Sequence, residues 1–356
     1  MNTVLNNLKV IELAGVLAGP AVGTFLAELG AEVIKIESPA GDVTRSWKLE
    51  KENKETPVSA YFSSVNYGKK YLRLDLRNED DKNKLYALIR ESDILITNYK
   101  KGDDLKLGTD YRTLKKINPH IIYASINGYG DDSERTAFDA VLQAETGFMS
   151  MNGTPESGPI KMPVALIDVL AAHQLKEGIL AAVIHKMKTG KGSKVSVSLF
   201  DAALASLMNQ ASNWLMCRDI PKLQGSLHPN IAPYGETFKT SDDKYILIAV
   251  GSDVHFASLC KITGNETLPH NEKFSSNHSR VKNRAELYPL LSEKLNTNTA
   301  GYWNTKMNEM KIPNGIIKNL KEVFEDEKAK SLVISENING TETLRVKNTV
   351  FKISFE

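Results

Sequence analysis

Short apolar runs alternate with amphipathic stretches through the first two hundred residues. LKVIEL (8–13), AEVIKIE (31–37), YLRLDL (71–76), DILITNY (93–99) and HIIYASING (120–128) have the length and apolar, branched character of buried strands. Helical patterns lie between them. AVGTFLAELG is entered through the turn AGVLAGP, with Pro20 near the first helical position, and closes at Gly30. NEDDKNKLYALIRES carries acids in its first turn, where a helix dipole favours them. After Asp168, the apolar positions Leu175, Ile179 and Val183, with Leu180, Ile184 and Met187 beside them, keep helical spacing until Gly190 and Gly192. KVSVSLF then alternates as a strand does, and Asp201 is expected to open a further helix, AALASLMNQASNWLMC. This alternation predicts an α/β fold, a doubly wound Rossmann-like parallel sheet, in which ligands lie beyond the carboxyl ends of the strands. The loops 14–20, 98–108 and 127–138 are therefore the places to look for chemistry.

From about residue 222 the texture changes to the Gly/Pro loop PKLQGSLHPNIAPYGETF, the strand KYILIAV, short helices between 253 and 311, and IPNGII. A chain of 356 residues exceeds the size at which single cores stop growing. The expected organisation is a large Rossmann-like domain over 1–205, a linker over 206–224, a smaller α+β domain over 225–330 and a short C-terminal segment over 331–356.

Charge and cysteine content narrow the function classes. Forty-five Lys and Arg against 43 Asp and Glu give a formal charge of +2, so a nucleic-acid duplex is not the expected partner. The two cysteines, Cys217 and Cys260, have neither metal-ligand spacing nor a disulfide framework, which fits a reducing compartment and a cytoplasmic protein with no metal. No stretch reaches the roughly 20 apolar residues of a membrane helix, and MNTVLNNLKVIEL lacks the pattern of a signal peptide. No membrane partner is expected.

Read without a family in mind, the first βαβ unit invites a dinucleotide reading, with Glu37 placed to meet a ribose hydroxyl. However, Gly15, Gly19 and Gly23 stand at four-residue spacing in place of G-x-G-x-x-G, and there is no P-loop, HExxH or G-x-S-x-G. Asp168, at the start of a long helix, reads locally as an N-cap, and so do Asp139 and Asp201. His173 reads as a packed or surface residue, Asn98 and Tyr99 as turn residues, and Arg45 and Lys106 as solvated charges.

The order of several segments along the chain adds another reading. LAGVLAGP, LGAEVIKIESPAGDVTRSW, NYGKKYLRLDLR, DILITNYKKG, INPHIIYASINGYG, FDAVLQAETGFMSMNG and ALIDVLAAHQLKEGILAAVIHKMKTGKGSKVSVSLFDAALA together resemble the family III CoA-transferases, the group that includes formyl-CoA transferase and carnitine CoA-transferase. The resemblance is dense through about residue 205 and looser, through PNIAPYGETF and IPNGII, to about 325. It implies movement of coenzyme A between an acyl-CoA thioester and a free carboxylic acid, with no tightly bound cofactor and with acyl-CoA and a small carboxylic acid as substrates. The family's catalytic aspartate falls on Asp168, which would form an aspartyl-CoA thioester. Asn98 and Tyr99 fall on the pair that holds the adenine of CoA, Lys106 on a basic residue near its phosphates, and Leu17 beside the active carboxylate, where formyl-CoA transferase has a polar residue. Ser38 stands where that enzyme has an arginine, and Arg45 is expected to supply part of that charge. An ordinary aspartate, with a pKa near ~3.9, would be ionised at neutral pH and could attack without a general base.

The resemblance also implies an interlocked homodimer, although the family's closing Pro-Pro and glycine-rich tail is absent. Two alternatives remain at this level. One is α-methylacyl-CoA racemase, whose G-H-D histidine corresponds here to Phe138 in Ala137-Phe138-Asp139. The other is a non-catalytic acyl-CoA-binding protein.

Overall fold

The computed structural model describes residues 4–354. The chain divides into two compact units, one running to Ser150 and comprising also Ile160–Pro221 and the chain from Lys328 on, the other Met151–Pro159 with Lys222–Glu327.

In the first unit the described residues build a six-stranded parallel sheet from β1 (Lys9–Glu12), β2 (Glu32–Glu37), β3 (Lys69–Arg73), β4 (Ile94–Thr97), β5 (Ile122–Asn127) and β6 (Ser193–Ser198). The strand order is β3-β2-β1-β4-β5-β6, so the direction of winding reverses between β1 and β4, and a crevice opens there at the carboxyl ends. Alternate residues of one strand go to opposite cores. Val10, Ile94, Ile96 and Ile122 pack with helix α1 (Ala18–Glu28), while Ile11, Leu95 and Tyr123 pack with helix α3 (Glu79–Arg90); α2 (Ala60–Ser64) lies between these helices in sequence. Burial on both faces is why these strands read as continuous apolar runs.

The helices that follow are α4 (Asp103–Leu107), α5 (Tyr111–Ile117), α6 (Asp139–Glu145), α7 (Leu166–Thr189), α8 (Leu199–Ala205) and α9 (Asn209–Cys217). α7 ends where the sequence says it should, on Gly190 at φ 70°. Other boundaries differ. β3 begins two residues earlier than the apolar run. Pro20 sits at the third position of α1, where its missing N–H still costs nothing. The helix expected from Asp201 to Cys217 is two helices: Ser198 caps α8 by accepting the Asp201 N–H at 2.9 Å, and Met208 at φ 48° separates α8 from α9.

The glycines of the first turn serve packing. A Cβ on Gly23 would lie 1.8 Å from Glu12 Oε2, and one on Gly19 would lie 2.3 Å from Ala14 Cβ, so only bare backbone lets α1 approach β1.

The C-terminal residues of this unit form a hairpin, β10 (Val333–Ile338) and β11 (Thr341–Val346), turned by Asn339 and Gly340, both at positive φ. It is fastened to α1 through Glu28, which accepts from Arg345 Nη2 at 2.6 Å and from the N–H groups of Asn348 and Thr349 at 3.0 and 2.6 Å.

The second unit has an antiparallel three-stranded sheet, β7 (Tyr234–Lys239), β8 (Tyr245–Ala249) and β9 (Asn314–Ile316), with β8 in the middle. Phe238, Ile246, Ile248, Phe256, Trp303 and Met307 form its core. Among the described residues no helix is long and apolar enough to cross a membrane, and no group of three His, Cys, Asp or Glu side chains is placed to hold a metal.

Candidate active site

Loops 15–18, 98–101 and 126–139 meet where the sheet reverses, enclosing a cavity of about 320 Å³ that Asp168 also lines. Asp168 lies in the first turn of α7, partly buried, and it does not cap the helix. The N-cap position is Ala165, and the free N–H of Ile167 is taken by Asp139 Oδ1 at 2.7 Å. Asp139 in turn is held by Gln143, whose amide donates to Oδ2 at 2.7 Å and whose Oε1 accepts the Met162 N–H at 2.7 Å. The cap is thus supplied from α6, which leaves the Asp168 carboxylate free of structural duty. Among the described residues no donor lies within hydrogen-bond distance of it. Burial, reinforced by the Asp139 charge, pushes the Asp168 carboxyl up to about 7. The expectation of an ordinary, fully ionised aspartate is therefore corrected: near neutrality the two protonation states are balanced, and the carboxylate that exists is poorly solvated.

Leu17 and Asn98 reach the same cavity. Leu17 is the N-cap of α1, and the N–H groups of Leu17 and Ala18 stand at the helix start, where no carbonyl four residues back can take them. The Asn98 amide is occupied with Gly15, accepting its N–H at 3.1 Å and donating to its carbonyl at 2.9 Å. Tyr99 is half-buried and lines both this cavity and a neighbouring one of about 440 Å³ with Ile36, Ser38, Leu74 and Leu107. Burial pushes its phenol up to about 12, so it stays protonated.

The two expected cations are placed differently. Lys106 is exposed on α4 and pairs with Asp103 at 3.1 Å, beside Leu107 of the second cavity. Arg45 lines neither cavity. Its guanidinium grips Glu37 at 2.7 Å and stacks 3.8 Å from the Phe62 ring centre, with its side chain only 12% exposed. Cations that do line the Asp168 cavity are Lys100, Lys101 and Arg135, none of them singled out from the sequence. Arg135 lies 4.0 Å from the Tyr129 ring centre and pairs with Glu145 at 2.6 Å. Tyr61 was missed as well. Burial raises its phenol, and the charge of Asp168 contributes, so the ring lies within electrostatic reach of the site. His173 is exposed and is not part of the cavity lining.

Residues 5–356 match CoA-transferase family III. The chain belongs to that family. It is 36% identical over 90% of its length to succinate–glutarate CoA-transferase of Agrobacterium fabrum, covering 82% of that protein. It is also 36% identical to human succinyl-CoA:glutarate CoA-transferase, covering 90% of this chain and 73% of the human one. Among solved structures, a CaiB/BaiF family protein from Brucella suis superposes with a TM-score of 0.88 at 38% identity, over 99% of this chain and 93% of that one. The protein is a family III CoA-transferase. At the position where a racemase would need a proton-carrying histidine, the transferase has Phe138, the exposed residue that precedes α6.

Proposed function

We propose that this transferase moves coenzyme A between short dicarboxylic acids, with Asp168 as the nucleophile. The observation that carries the reading is the isolation of Asp168: a carboxylate in the first turn of a helix, relieved of capping by Asp139 and facing a cavity, with no donor on it among the described residues. Asp168 attacks the thioester carbonyl and expels CoA thiolate, leaving a mixed anhydride. The thiolate then attacks the aspartyl carbonyl, releasing the donor acid as its carboxylate and leaving an aspartyl-CoA thioester. An incoming carboxylate reverses both steps and restores the free aspartate. Each addition develops an oxyanion, and the N–H groups of Leu17 and Ala18 are the donors proposed to meet it; one such donor is worth about 3 to 4 kcal/mol in known cases.

The nucleotide of CoA is assigned to the cavity beyond Tyr99, its base against the ring, with Lys106 at the rim. Asn98 shapes the passage between the two cavities by holding Gly15. Lys100 and Lys101 supply the charge for the phosphates in place of Arg45, which is spent on Glu37. Dicarboxylates are proposed because the relatives are named for succinate and glutarate, and because Arg135, which shares its charge with Glu145, lines the cavity that holds Asp168.

A cytoplasmic homodimer completes the reading. Trp214, Leu215 and Met216 on α9 are exposed together and call for cover, and a monomer in light scattering at working concentration would contradict it. The functional test is Asp168→Asn assayed for CoA transfer from succinyl-CoA to glutarate: a folded but inactive variant is expected. CoA binding without detectable transfer by the unmodified protein would instead favour a binding protein.

A further inference from the structure

The turn that brings Gly15, Val16 and Leu17 to the Asp168 cavity is held from beneath by side chains with no part in the transfer chemistry. Val16 sits at φ 70°, a conformation that a β-branched residue keeps only when its surroundings impose it. Three tethers do so on consecutive residues. Lys35 Nζ donates to the Ala14 carbonyl at 2.7 Å, the Asn98 amide closes on both backbone groups of Gly15, and Asp42 Oδ2 accepts the Val16 N–H at 3.3 Å. Asp42 Oδ1 is already committed, accepting the Thr44 N–H at 3.0 Å and its hydroxyl at 2.7 Å.

Behind Asp42 lies a sealed chain of charges. Lys35 bridges Asp42 at 3.1 Å and Glu12 at 3.0 Å, and Lys69 reaches Glu12 at 2.8 Å; each of the four side chains is at most 2% exposed. Two cations and two anions cancel formally. Apolar side chains of similar volume often serve stability as well as such a buried cluster or better, so stability alone does not account for it. What the cluster does provide is a fixed carboxylate. Burial opposes the charge on Asp42, but Lys35 and the Thr44 donors outweigh it and hold the carboxyl below its usual range, a permanent acceptor for Val16.

We propose that Asp42 is a positioning residue for the transfer step. By holding Val16 in the left-handed region it sets the start of α1, and with it the Leu17 and Ala18 N–H groups, against Asp168. It acts without reaching the cavity, of which Asp42 is not a lining residue. The inference rests on Asp168 being the reacting group, as proposed above.

The test is a mutant cycle assayed with succinyl-CoA and glutarate. Asp42→Asn is expected to lower kcat about 100-fold while KM for succinyl-CoA changes less than about threefold, the size of effect a small misplacement produces. Glycine adopts positive φ without strain, so the kcat loss caused by Asp42→Asn should be at least about tenfold smaller in a Val16→Gly background than in the parent, with Val16→Gly itself as the reference for that comparison. A folded Asp42→Asn protein with unchanged kcat overturns the proposal. So does a loss of kcat that Val16→Gly fails to recover, since a general weakening of the fold would not respond to the backbone freedom of one residue. Should Asp42→Asn fail to fold, Val16→Pro decides, because proline fixes φ at about −65° and removes the N–H that Asp42 accepts: a folded Val16→Pro protein with kcat lowered at least about tenfold and KM kept supports the tether, and unchanged kcat overturns it. Asp168→Asn, assayed separately, reports on the nucleophile independently of this cycle.

Discussion

Asp139 Oδ1 accepts the backbone N–H of Ile167 at 2.7 Å, so the helix that carries the candidate nucleophile is capped by a residue 28 positions earlier in the chain. The same carboxylate adds a negative charge near Asp168. The two roles separate by substitution. Asp139→Ala should remove the cap and cost about 1 kcal/mol, seen as a lower melting temperature. Asp139→Asn should keep an acceptor for Ile167 while removing the charge, so the pH at half-maximal kcat/KM should fall. PH–rate profiles of the two variants against the parent check this.

Because only the ionised aspartate attacks, kcat/KM should rise about tenfold per pH unit below neutrality and level off above about 7. The same shift has a consequence for folding. The folded-state pKa of Asp168 lies above the unfolded value of about 3.9, so its contribution to stability is full below about pH 4 and is lost as pH rises to about 7. Asp168→Asn does not titrate. Its melting temperature, relative to the parent, should therefore be higher at pH 8 than at pH 5.

Gly23→Ala should be among the most damaging single-methyl changes in this protein. The added carbon would meet Glu12 Oε2 at 1.8 Å and displace a carboxylate that Lys35 and Lys69 both need. Breaking a buried pair of this kind costs about 3–5 kcal/mol, and thermal denaturation would show the loss directly.

Tyr99 lines both cavities, whereas Lys106 is exposed and already paired. Tyr99→Ala should raise KM at least about tenfold for every acyl-CoA donor, as loss of a stacking face does. Lys106→Ala should raise it alike for all donors but only about two- to threefold, within the range of an exposed ion pair. Donor-dependent effects would move either residue to the acyl pocket.

The inner strands were legible in the sequence because both of their faces are buried, and the three loops singled out from the winding of the sheet are those that line the Asp168 cavity. Local spacing could not show that Asp168 is relieved of capping, since the group that relieves it comes from another helix. Nor could it show that Asn98 and Arg45 spend their polar groups on Gly15 and Glu37. Asp42 stands in the sequence only as one residue of the segment LGAEVIKIESPAGDVTRSW; its tie to Val16 depends on a turn conformation that a valine does not advertise. The C-terminal hairpin is also legible, since Asn339-Gly340 between VISENI and TETLRV is a strong hairpin signal.

The central claim is that Asp168 becomes covalently joined to CoA. Incubation with succinyl-CoA in the absence of acceptor, followed by proteolysis and mass spectrometry, should show CoA attached to the peptide containing Asp168, with the adduct removed by hydroxylamine and missing from Asp168→Asn. A parent protein that transfers CoA to glutarate at full rate yet gives no adduct on that peptide, or an Asp168→Asn protein that still transfers, would contradict it.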